Sequence, residues 1–145
     1  VPVVAMVSRN SGKMKARKVT SVNAKSLAKV LKKHVAKTAE IFTDGAKFYP
    51  VATKGLNGHE SVNHDAKEYV RGMVHTQTVE SFNAILKRGI NGIYHHVSEE
   101  HLDRYLDEFT FRWDHRDVSD GARATQAMRQ AEGKRLTYRD AVEGK

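Results

Sequence analysis

The chain opens on an apolar run, Val1 to Arg9, that predicts a buried strand, and Asn10-Ser11-Gly12 supplies the residues of a hairpin turn. Lys13 to Val22 reads as a second strand whose many charges give it a wet face. After Asn23, a residue suited to capping, Leu27, Val30, Leu31 and Val35 recur at helical spacing. Ala39-Glu40-Ile41-Phe42-Thr43 reads as a short buried strand ended by Asp44-Gly45. Lys47 to Leu56 fits neither period, and Pro50 argues against a long helix there. Glu60 to Asn63 is a short strand at most. A helix is predicted from Thr76, its N-cap, up to Gly89, its C′ residue, with Val79, Phe82, Ile85 and Leu86 on the side that packs on the sheet. Gly89 to Val97 reads as a loop or small hairpin. Ser98 then caps a helix begun by Glu99 and Glu100. Leu102, Tyr105, Leu106, Phe109 and Trp113 form its apolar stripe, a core face rather than a platform for stacked bases. From Gly121 the chain is polar, with a short helix expected around residues 122–132.

Against that background two carboxylates draw notice. Asp44 closes a strand, where open α/β sheets gather their ligands. Asp-Gly is equally a common turn dipeptide. Glu80 follows after 35 intervening residues, on the polar side of its helix with Asn83, Ala84 and Lys87. That side also reads as an ordinary solvated face. A carboxylate after a strand and another on a later helix can share divalent metals, and Lys87, seven residues past Glu80, would face the same site. In phosphodiester chemistry two metal ions about 4 Å apart activate a water or 3′-hydroxyl and stabilise the leaving oxygen. Mg²⁺, or Mn²⁺ in its place, wants carboxylate oxygens and keeps several waters. A lysine nearby holds a phosphate as a point charge.

At 145 residues the chain is long enough for one domain with a sizeable core. It contains no cysteine, which excludes disulfides and thiolate zinc sites, and no apolar run long enough to span a membrane. The net charge of +8 is uneven: residues 1–40 hold ten bases and one acid. That basic segment, with Lys13, Lys15, Arg17 and Lys18 in its second strand, is an electrostatic footprint for phosphate, or else a solvated face. His95, His96 and His101 do not have the spacing of a His-Glu-x-x-His zinc site and are read as packing or solvent contacts.

The residues also resemble a known family. Thr43-Asp44-Gly45 with Tyr49, Val62-Asn63-His64, Tyr69-Val70 and Gly72 carry part of the likeness. The dense block runs from His75 through Glu80, Lys87-Arg88-Gly89 and Tyr94-His95-His96-Val97-Ser98 to Arg116. Together they are similar to the ISXO-type insertion-sequence transposases of the DDE superfamily. The resemblance implies an α/β, ribonuclease H-like mixed sheet flanked by helices that cuts and joins DNA with Mg²⁺. Asp44 then matches the second acid, Glu80 the third and Lys87 the base that follows, with Asn83 as another candidate for the third position. Arg88 beside Lys87 and His64 in the Asn-His motif are placed near DNA.

In the family a first Asp lies on a strand before this region, whereas no Asp precedes Asp44 here. The expectation is therefore a partial catalytic core over residues 1–117, lacking its first strand, with a polar tail over 118–145. Expected partners are the DNA of insertion-sequence ends and targets and further copies of the chain, with no membrane, in a bacterial cytoplasm at the nucleoid. The alternative is a DNA-binding remnant without catalysis, which rests on the absent Asp and the same positive charge. A ribonuclease H-like nuclease unrelated to transposition would share the site chemistry.

Overall fold

A computed structural model describes residues 1–44, 46–62 and 77–135. Strand β1 (Val3–Val7) pairs antiparallel with β2 (Met14–Lys18), from Val3 opposite Lys18 to Val7 opposite Met14. The Ser8 N–H donates to the Lys13 carbonyl at 2.9 Å, and Gly12, at φ +68°, completes the turn in a conformation that only glycine adopts freely.

Successive side chains of a strand point to opposite faces. Val3, Ala5 and Val7 accordingly pack on one core, and Val4 and Met6 on another. This is why β1 has no polar alternate: it lies between two apolar clusters. The first cluster joins Met14 and Ala16 of β2, Phe82 and Leu86 of α3 (Gln77–Gly89), and Leu102, Leu106 and Phe109 of α4 (Leu102–Asp114). The second joins Leu27 and Leu31 of α1 (Ala24–His34) with Ala52 of the single-turn α2 (Tyr49–Ala52). Asn23 caps α1 as its side chain predicts, accepting the Ser26 N–H at 2.8 Å. Pro50 sits in the first turn of α2, where a missing N–H costs nothing.

Strand β3 (Glu40–Asp44) runs parallel to β4 (Gly58–Val62), with Asp44 opposite Val62. Parallel neighbours need a crossover, and the segment holding α2 supplies it. The architecture is thus α/β, but the described residues form two separate two-stranded sheets where one mixed sheet was expected. The reason lies at the edges: β1 and β3 each pair on one side, and both line the cleft between the sheets.

Two expected boundaries shift. Gly89 does not end its helix; at φ −64° it continues into a π-helical turn over Ile90–Tyr94, where a loop or hairpin was expected. A Cβ on Gly89 would overlap Phe109 Cζ and lie 2.7 Å from Cε1, so glycine is needed for the close approach of α3 to α4. Ser98 does not cap α4 either. Its carbonyl accepts the His101 N–H at 3.2 Å in a preceding turn, and the helix begins at Leu102. A last helix, α5 (Asp120–Ala131), starts at Ser119, whose Oγ accepts the Ala122 N–H at 3.3 Å, and buries none of its residues. Thr76, expected as the cap of α3, lies outside the described residues.

Candidate active site

Asp44 ends β3 with an exposed side chain. Its Oδ1 accepts the Ala46 N–H at 3.4 Å, so the turn reading and the cleft-lining reading of Asp44 hold together. The preceding Thr43 is buried, and its hydroxyl donates to the Asp44 carbonyl at 2.8 Å. Having spent its single proton there, Thr43 Oγ1 accepts from His59 Nε2 at 2.8 Å, which assigns the ring proton to Nε2. Burial pushes the His59 pKa below the ordinary 6.5, in keeping with a neutral ring. Tyr49 stands beside His59, with ring centroids 6.2 Å apart. Burial first, and then the charge of Asp44, raise its pKa above 10.0 and keep the phenol protonated.

Helix α3 turns Phe82 and Leu86 into the core. This rotation sends Glu80 and Asn83 to the cleft that Asp44 also lines. Three of the sequence-predicted site residues, Asp44, Glu80 and Asn83, therefore line the same large cleft. Lys87 and Arg88 sit exposed in the last turn of α3, where positive charge suits the helix terminus, and neither lines the cleft. Ile85, expected on the packed side, is 40% exposed. His64 lies outside the described residues.

Asp44 and Glu80 offer hard oxygen donors, and Asn83 adds an amide oxygen. That donor set suits a Mg²⁺ or Mn²⁺ ion, which takes one or two carboxylates and completes its shell with water and substrate phosphate. Among the described residues no group of three or more His, Cys, Asp or Glu side chains is placed to hold a metal ion.

The basic hairpin divides into two roles. Arg17 donates to Asp107 Oδ1 at 2.6 Å and Lys18 Nζ to the Glu99 carbonyl at 2.7 Å, which tie β2 to α4 and the turn before it. Asp114 adds a third tie, its Oδ1 accepting the Met14 N–H at 2.7 Å. Lys13 and Lys15 are exposed instead. The His34 pKa is lowered by burial and then by the charges of Lys15, Arg17 and Lys33, so the end of α1 and β2 share one field of positive potential.

Sequence reasoning did not single out His59 or Asp114, and took Thr43 only as part of a strand and of the family motif. His59 acts across a parallel pairing that no local pattern reveals, and Asp114 reaches a strand a hundred positions away.

The site thus places an acid at a strand end and another on a later helix along one cleft of an α/β protein, beside a basic hairpin. The sequence model of the ISXO2-like transposase domain matches residues 1–114. The chain belongs to that family, the insertion-sequence transposases of the DDE type. No curated protein and no solved structure matches it.

Proposed function

We propose that this chain is the catalytic domain of a DNA transposase, with a ribonuclease H-like arrangement, that cleaves and transfers the strands of an insertion sequence using Mg²⁺ or Mn²⁺. The observation that carries the reading is that Asp44, Glu80 and Asn83 all line one cleft within the family's matched region. Asp44 and Glu80 would hold the ion, with Asn83 as a further oxygen donor. Bound there, the metal would polarise the phosphodiester and lower the pKa of a coordinated water. The chain's own residues do the rest. Thr43 and His59 fix the strand end from which Asp44 projects, and Tyr49 packs beside it. Lys87 and Arg88 on α3, with Lys13 and Lys15 on the hairpin, attract the DNA backbone by charge, and Arg17 and Lys18, held against Asp107 and the Glu99 carbonyl, add to the same positive field. His64 is assigned to DNA through the family motif alone. Function on DNA as a homo-oligomer in the bacterial cytoplasm, at the nucleoid, completes the reading. Among the described residues no helix is long and apolar enough to cross a membrane.

Strand cleavage of DNA flanking the chain's own coding sequence is the test. Asp44→Ala and Glu80→Ala are each expected to abolish Mg²⁺-dependent cleavage while leaving salt-sensitive DNA binding intact. Cleavage that survives either substitution refutes the site, and binding without cleavage by the unsubstituted chain favours a DNA-binding remnant.

A further inference from the structure

Helix α1 turns Leu27 and Leu31 into the second core cluster. At about 3.6 residues per turn, Lys25, Lys29 and Lys32 then fall on the opposite side, within about 60° of one another and along about 10 Å of the axis. All three are exposed, as is Lys33 beside them. The helix holds no acid, and among the described residues none of the four lysines enters an ion pair. Lys29 stands three or four positions from Lys25, Lys32 and Lys33, spacings at which like charges repel across a helix surface. Lys25 also sits in the first turn, against the positive end of the helix dipole. An ordinary solvated face intersperses acids among its bases and so relieves such repulsion. Nothing on α1 does. We propose that this row of lysines is a docking surface for the backbone of duplex DNA, outside the cleft and continuous with it. Charge complementarity names the chemistry of the partner, and the choice of DNA among polyanions rests on the transposase reading.

Lys33 lines the cleft together with Lys13 and Lys15 of the hairpin, whereas Lys25, Lys29 and Lys32 do not. The row therefore reaches the cleft at the C-terminal end of α1 and leads away from it. The charges of Lys15, Arg17 and Lys33 all act on His34, which places the hairpin and the end of α1 in one positive field. In the cleft, Asp44 and Glu80 repel phosphate until a metal ion offsets their charge. Cations that stand off from those acids hold the duplex beside the reacting strand without competing for the metal ligands. Each strand of B-DNA presents a phosphate about every 3.4 Å along the axis, so the row faces about three of them.

Fluorescence anisotropy of a labelled duplex of arbitrary sequence, titrated with the whole chain at several salt concentrations, is the test. Lys25→Gln, Lys29→Gln and Lys32→Gln together should lower the slope of log K against log salt by about two to three units, at about 0.9 for each phosphate. A second triple, Arg129→Gln, Lys134→Gln and Arg135→Gln, makes the same change of net charge at exposed positions on and after α5 and should lower the slope by less than about one unit. The first triple should melt no lower than the unsubstituted chain, because glutamine keeps the helix propensity of lysine and removes the repulsion. If it unfolds instead, acetylation of the unsubstituted chain read by mass spectrometry decides, and duplex DNA should shield Lys25, Lys29 and Lys32. An unchanged slope, an equal fall with both triples, or no shielding overturns the proposal. So does lysine-dependent binding to phosphatidylglycerol vesicles that is tighter than to the duplex at the same salt, since a lipid headgroup would then be the source of the phosphate. Mn²⁺ uptake reads the cleft separately, because the row contributes no ligand to it. A chain that binds Mn²⁺ but keeps its slope in the first triple loses this surface and keeps the site. A chain whose slope falls without Mn²⁺ uptake keeps the surface and loses the site.

Discussion

Gly89→Ala places two opposing effects on one methyl group. Inside a helix, alanine is favoured over glycine by about 1 kcal/mol. At this position the new Cβ would stand 2.7 Å from Phe109 Cε1 and 3.3 Å from Cε2, and would overlap Cζ. The Phe109 ring has little room to yield, because it lies in the first core cluster and packs edge-on against Tyr94 at 6.4 Å. Overpacking of this kind costs about 1–3 kcal/mol. Overlap with Cζ sets this site in the upper part of that range, so the steric term wins and the net destabilisation is about 1–2 kcal/mol, equivalent to a fall in Tm of roughly 3–8 °C. Urea unfolding followed by Trp113 fluorescence measures it, since Trp113 packs on Phe82 of α3 at 5.7 Å and reports the contact between α3 and α4. Combining Gly89→Ala with Phe109→Leu should be less harmful than the sum of the two, by about 0.5 kcal/mol or more. A Gly89→Ala chain as stable as the original, or more so, would show that helix propensity prevails and that the close approach of the helices is not tight.

Four further outcomes follow from contacts in and around the site. Asp114→Ala leaves the buried Met14 amide without its acceptor and should cost about 1–3 kcal/mol in chemical denaturation. The folded state holds His59 below the ordinary pKa of 6.5, so the unfolded chain binds more protons as pH falls, and stability declines from about that value down through the folded pKa. His59→Gln keeps a donor for Thr43 and should flatten that slope, leaving the part that His34 contributes with the same sign. Lys15→Ala should lower the salt dependence of DNA binding by about one unit of slope without altering stability. Arg17→Ala should also cost roughly 0–1 kcal/mol, because its partner Asp107 is 59% exposed and the pair is screened.

Much of the path to the site was legible in the residues. The unbroken apolar run of β1, the Asn23 cap, the strand that ends at Asp44 and the polar side of α3 follow from local periodicity and capping chemistry. The family resemblance likewise rested on the dense block after His75, and the match over residues 1–114 agrees with it. Other features depend on tertiary partners. Gly89 looks like a helix terminator until the ring of Phe109 is placed against it. Ser98 is a good cap by type, but the turn it starts delays the helix to Leu102. Arg17 and Lys18 read as cations for phosphate, whereas their nearest tasks are contacts to Asp107 and the Glu99 carbonyl. The Thr43–His59 hydrogen bond depends on the parallel register of β3 and β4, which is set by long-range pairing.

The central claim is that Asp44 and Glu80 share one divalent ion, and Mn²⁺ binding followed by electron paramagnetic resonance tests it most directly. The chain is predicted to take up Mn²⁺, to release it to excess Mg²⁺, and to lose the site on either Asp44→Ala or Glu80→Ala. Glu40→Ala, which changes a carboxylate at the far end of the same strand, should leave uptake unchanged. Undiminished Mn²⁺ binding in the Asp44→Ala or the Glu80→Ala chain would contradict the account.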